Sequence, residues 1–176
     1  STTHLTIQNG NTNSNAFTVK TTITMGNGYL AYATELSIAR TMIHESVHAY
    51  INGLYYKDSS FHDKSFGDKL RRWAGDNGFT KWNVIQHEFM GGYVDAIGYS
   101  LYKWDKQYGT GGNLGWDYYQ SMAWGGLFQV DPDGNIVAMT DSFKELVPDA
   151  NDRKKIADKL LNEQKGNSDA QGTECD

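Results

Sequence analysis

The sequence predicts a mainly helical α+β domain, on three observations. The first thirty residues are rich in β-branched side chains and alternate in places, as in Phe17-Thr18-Val19-Lys20-Thr21-Thr22-Ile23-Thr24. Segments between Thr34 and Trp104, and again near the C-terminus, carry apolar residues at helical spacing. The turn sequence Asp131-Pro132-Asp133-Gly134-Asn135 separates two short apolar segments, the pattern of a small hairpin.

The elements follow in order. Thr6-Ile7 and the run from Phe17 read as one or two strands joined by a loop from Asn9 to Asn15. Thr34 is a good N-cap for a helix carrying Leu36, Ile38, Ala39, Met42, Ile43, Val47, Ala49, Tyr50 and Leu54, which ends near Gly53 to Lys57. Phe66, Leu70 and Trp73 mark a second helix from about Asp63 to Asp76, stopped by Asn77-Gly78. A third runs from about Trp82 through Trp104, with Phe89, Met90, Val94, Ile97 and Leu101 on its apolar side. Four glycines between Gly109 and Gly115 make a loop, Tyr118 to Leu127 a short helix, and Asn151 to Gln164 a last one. The tail 166–176 has no apolar anchor and is expected to be mobile.

Bulk properties bound the function. At 176 residues the chain fits one domain with one core, and with no repeat or boundary 1–176 reads as a single unit whose strands open it over 1–30. A hydrophobic content of 39% excludes disorder, and no apolar run approaches the roughly 20 residues of a membrane span. The net charge of -5, with scattered Lys and Arg, excludes general binding to nucleic acid. The single cysteine, Cys175, excludes an internal disulfide and a cysteine zinc cage. Residue 1 is Ser and no leader pattern follows it, which reads as a processed product or an excised domain.

The chemistry centres on His44-Glu45-Ser46-Val47-His48. Histidines four apart on a helix share a face, with Cβ atoms about 5–6 Å apart, so both imidazoles can close on one ion. Glu45 lies beside that ion, placed to take a proton from an activated water without being a ligand. With 5 histidines in the chain, composition alone would produce such a pattern with a chance of roughly 0.005, which makes accident a weak explanation. A catalytic zinc takes three protein ligands and leaves a fourth position open. His4 and His62 sit in solvated surroundings, whereas His87 lies early in a long amphipathic helix. Glu88 is the competing third ligand; His87 is preferred because it falls nearer the stripe of Met90, Val94, Ile97 and Leu101. Tyr93 is a candidate donor to the transition state or orienting group, and Asp95 a candidate to orient a ligand imidazole, against bland roles as a core tyrosine and a solvated carboxylate. The Asp131–Asn135 segment does not match a calcium loop, and Trp116, Tyr118, Tyr119 and Trp124 are either groove-lining or core aromatics.

The segment Thr41-Met-Ile-His-Glu-Ser-Val-His-Ala-Tyr50 resembles the active-site helix of the zincin metallopeptidases. Gln86-His-Glu-Phe-Met-Gly-Gly-Tyr-Val-Asp95 is similar to the second ligand-bearing helix of uncharacterised zincin-like domains from Bacteroidetes-type bacteria, and Ala123-Trp-Gly-Gly-Leu127 is a weaker third block. The resemblance covers about residues 30 to 127. It implies a zincin-like fold, Zn2+ as cofactor with His44, His48 and His87 as ligands, Glu45 as general base and a protein or peptide substrate. It also implies a domain of a larger secreted bacterial protein. Neither the metzincin continuation after His48 nor the Glu-x-x-x-Asp pattern at Glu88 is present, so subfamily and substrate are not assigned. Two other functions use the same residues: a secreted toxin or effector acting on a partner protein or cell-wall peptide, and a non-catalytic module held by structural zinc.

Overall fold

The computed structural model describes residues 4–78, 82–131 and 133–174, the stretch 82–91 by its backbone alone. It is an α+β arrangement, dominated by helices. Strands β1 (Thr6–Gly10), β2 (Ala16–Val19) and β3 (Thr22–Gly26) form a sheet in the order β1-β3-β2, with β1 parallel and β2 antiparallel to β3. The alternating run from Phe17 is therefore not one strand. It folds back at Lys20, which takes a left-handed φ of 55°, and so places Thr18 against Ile23.

After a short helix α1 (Asn27–Leu30), helix α2 (Glu35–Leu54) begins at the expected cap, where the Ser37 N–H donates to Thr34 Oγ1 at 3.2 Å. Helix α3 (Phe66–Asp76) starts three residues later than expected, because Ser65 accepts from the Asp68 N–H and donates to its carboxylate. Helix α4 (Trp82–Tyr108) is longer than the pattern indicated. It ends where buried Asp105 gathers the glycine loop, accepting from Thr110 N and Oγ1, Gly112 N and the Tyr119 hydroxyl. Helix α5 (Trp116–Ala123) leads into the hairpin of β4 (Phe128–Val130) and β5 (Ile136–Met139), whose turn is closed by the Asn135 N–H donating to Asp131. Helices α6 (Asp141–Leu146) and α7 (Ala150–Lys165) complete the fold.

Two apolar clusters meet at α2. Leu36 and Ala39 pack into the main core with Val94, Ile97 and Leu101 of α4, Tyr119 and Met122 of α5, and Ile156 and Leu160 of α7. Ala49, with Ile38 and Met42, faces Ile23, Met25 and Tyr29 from the sheet side. Buried on two sides, α2 cannot shift without opening one core or the other, which fixes the side chains projecting between them. The tail is held by anchors that its composition does not announce. Gln171 and Gly172 N–H groups donate to the Glu163 carboxylate, and Thr173 O accepts from Glu35 N at 2.9 Å. A Cβ on Gly172 would lie 2.7 Å from Leu36 Cβ, so only glycine allows this approach.

Candidate metal centre

His44, Glu45 and His48 lie midway along α2, on the part of its surface between the two cores. His44 and Glu45 are buried, at 8% and 9% exposure, and His48 is half-buried with its ring 4.0 Å from that of Phe66 on α3. The two imidazoles converge: His44 Nε2 and His48 Nε2 are 3.0 Å apart. Two nitrogens bound tetrahedrally at about 2.0–2.1 Å from one zinc lie roughly 3.3 Å apart, so the pair needs to open by only a few tenths of an ångström to admit the ion. These two residues therefore fit the metal that their spacing implies.

The surroundings favour neutral rings, the form a ligand requires. Burial, then the charges of Arg40 and His48, lowers the His44 pKa to about 3. Burial also lowers that of His48, against the pull of Glu45. On the far side of the His44 ring, Nδ1 is 2.7 Å from the Tyr93 hydroxyl. Burial raises the Tyr93 pKa well above its usual range, so the phenol stays protonated. When Nε2 is the ligating atom, Nδ1 carries the proton and donates it to the phenol oxygen, which sets both tautomer and ring orientation. Glu45 is held from the sheet: Thr18 Oγ1 donates to its Oε2 at 2.6 Å, aiming the carboxylate.

Not every expected residue gathers here. The Tyr93 hydroxyl lies 2.7 Å from His44 Nδ1, the contact expected of an orienting group. Asp95 bonds to no histidine among the described side chains. Two positions beyond Tyr93 it points about 200° around α4, is exposed, and accepts from Gln120 Nε2 at 2.9 Å. His87 and Glu88, the alternative third ligands, fall on the α4 backbone, but their side chains lie outside the described residues. Among the described residues no group of three or more His, Cys, Asp or Glu side chains comes together. Tyr119 and Trp124 are core residues, and Tyr118 donates to buried Glu163, so these three aromatics are structural.

A cavity of about 600 Å³ opens in front of the site. Arg40, Thr41, His44 and Glu45 line it from α2, the Asn13–Ala16 segment and the Phe128–Val130 strand from two sides, and α7 from below. Gly125 and Gly126 press their backbone flat against it. A Cβ on Gly126, at φ 88°, would lie 2.7 Å from His44 Cε1, and one on Gly125 would lie 2.5 Å from Arg40 Cζ. Sequence reasoning missed Arg40, Thr18 and Phe66 as parts of the site. Arg40 carried a usable signal, since it precedes His44 by one helical turn on the same face. Thr18 and Phe66 carried none, being brought in by the sheet and by α3. No protein-family model, no curated protein and no solved structure matches this chain.

Proposed function

We propose that this chain is a zinc-dependent hydrolase and, more specifically, a metallopeptidase. The observation that supports the reading most directly is the convergence of His44 Nε2 and His48 Nε2 to 3.0 Å, with His44 and Glu45 lining an open cavity. His44 and His48 would hold the ion, with His87 as the third ligand and Glu88 as its competitor. A zinc ion bound there supplies Lewis acidity toward a carbonyl and brings the pKa of a water to about 7.

The chain's own residues do the rest. Glu45 accepts the proton of the attacking water and returns it to the leaving amine nitrogen. Thr18 keeps one Glu45 oxygen occupied and so presents the other for that transfer. Tyr93 holds His44 by its Nδ1 atom, and the Gly125–Gly126 backbone leaves the imidazole no room to swing away. A carboxylate next to the first histidine has no task in a purely structural site, which favours a hydrolase over a zinc-held scaffold.

The test has two parts. Elemental analysis of wild type, His44→Ala and His48→Ala should show about one zinc lost in each variant, with His87→Ala losing it and Glu88→Ala retaining it. Full zinc content in both His44→Ala and His48→Ala refutes the site. Against casein, a peptide library and peptidoglycan stem peptides, Glu45→Gln should keep its metal and lose at least about 10²-fold in turnover. A wild type that cleaves none of these, or an equally active Glu45→Gln, refutes the hydrolase.

A further inference from the structure

Arg40 is 4% exposed, yet its Nε has no hydrogen-bond partner among the described residues, and none of the ion pairs among them involves it. A buried guanidinium ordinarily has an anion to pair with, because leaving a charge uncompensated away from water costs several kcal/mol. Among the described residues this one has no such partner, and it lines the cavity that also holds His44 and Glu45. Its surroundings are built close around it, with the Gly125 backbone approaching so tightly that a single methyl group would overlap Cζ, Nη1 and Nε. A side chain packed this way presents its planar fork in a fixed direction, the geometry that pairs two N–H groups with the two oxygens of a carboxylate.

We propose that Arg40 is a carboxylate-recognition site, and that the substrate is a peptide carrying a carboxylate within one or two residues of the bond that is cut. This rests on the hydrolase reading for the bond and adds the class of peptide. Position sets the reach. Arg40 precedes His44 by four residues, so its Cβ lies about 5–6 Å from that of His44 along the same face. One residue of extended chain spans about 3.3–3.6 Å, so a peptide with its scissile carbonyl at the histidine pair brings its next one or two residues alongside Arg40. Two groups supply a carboxylate there: the C-terminus of the peptide, or an Asp or Glu side chain. Arg40 recognises their shared chemistry.

The test measures binding without turnover, in the whole 176-residue chain carrying Glu45→Gln. Three probes are titrated by calorimetry: acetyl-Ala-Ala-Phe as the free acid, the same peptide as its C-terminal amide, and acetyl-Ala-Ala-Asp as its amide. At least one carboxylate probe should bind about tenfold or more tightly than the neutral amide, and which one it is names the source. Adding Arg40→Gln should abolish the preference, and Arg40→Lys should retain part of it. Equal binding of all three probes, or a preference that survives Arg40→Gln, overturns the proposal. Repeating the titration with zinc removed by chelation separates Arg40 from the metal: a preference that persists supports the proposal, and one that vanishes overturns it. Should Arg40→Gln not fold, the Nε–Hε resonance of Arg40 in the otherwise unaltered chain takes its place. It should move on adding the preferred acid and stay still with the amide; no movement with either acid overturns the proposal. If wild type cleaves nothing but the acid preference follows Arg40, the hydrolase reading fails while the anion site stands. If wild type cleaves acid and amide peptides alike, Arg40 fails and the hydrolase stands.

Discussion

Replacing Tyr93 by phenylalanine removes one oxygen and leaves the ring that packs beside His44. The ring nitrogen that it served, His44 Nδ1, belongs to a side chain only 8% exposed, so water cannot readily take the place of a hydroxyl 2.7 Å away. Leaving a buried polar atom without its partner costs about 1–3 kcal/mol, and that cost falls on the folded, metal-free chain. A ligand histidine that has lost the acceptor for its other N–H holds zinc about 10–100-fold more weakly, a loss of about 1.4–2.7 kcal/mol in binding free energy. Competition against a chromophoric chelator measures the affinity, and thermal melts with and without chelator separate the metal effect from the loss of stability. Tyr99→Phe, on the same helix but 56% exposed, is the control and should change neither. If Tyr93→Phe binds zinc as tightly as wild type and melts at the same temperature, the orienting role assigned to Tyr93 is wrong.

Two further outcomes follow from other buried polar groups. Arg40→Met keeps the length and apolar stem of the side chain but removes an uncompensated charge, so the ligand-free protein should gain about 1–3 kcal/mol in urea unfolding; a loss of stability would show that the guanidinium already has a compensating partner. Asp105 is pushed up by burial, but hydrogen bonds from Thr110 and Tyr119 outweigh this and hold its pKa below the ordinary 3.8. The stability it contributes is therefore present above about pH 3.8 and lost as pH falls through the lower folded value. Asp105→Asn should cost about 2–3 kcal/mol at pH 7 and flatten this acid limb, which urea titrations from pH 2 to pH 7 would reveal.

Periodicity made the helices legible because most of them bury a single stripe. The cap at Thr34 and the hairpin around Asp131–Asn135 were legible because they are local: a hydroxyl three residues from an N–H, and a carboxylate four residues from another. The strand from Phe17 was misjudged for the opposite reason. Nothing in its alternation marks Lys20 as a turn, and the break makes sense only once β3 has to return along β2. Within the site, His44, Glu45 and His48 were visible because helix geometry alone brings them together. Gly125 and Gly126 entered only as part of the weaker block Ala123–Leu127, because their purpose, clearance for Arg40 and His44, depends on tertiary approach. For Asp95 the sequence left two roles open, orienting a ligand imidazole or a solvated carboxylate; its exposure and its bond from Gln120 suit the second, and that contact depends on how α5 packs on α4.

The tie between the two ends of α2 and α7 bears on how the protein comes into being. The first turn of the helix that carries the histidines is completed from far along the chain: Thr34 donates to Glu163, Glu35 N to the Thr173 carbonyl, and Thr173 Oγ1 to Glu35 at 2.7 Å, a closure over 138 residues. During synthesis, α2 leaves the ribosome long before its closing partners exist. Until residues 163–173 emerge, its leading N–H groups lack part of their cap, and Leu36 lacks the glycine that covers it. Closing so long a loop is a late event, and its entropic cost is met only when the rest of the core is already assembled. The nascent chain would thus pass through a stage in which the histidine pair is present in a helix whose start is still open to water. Completion of the fold around the histidine pair would then be timed by the emergence of residues 163–173.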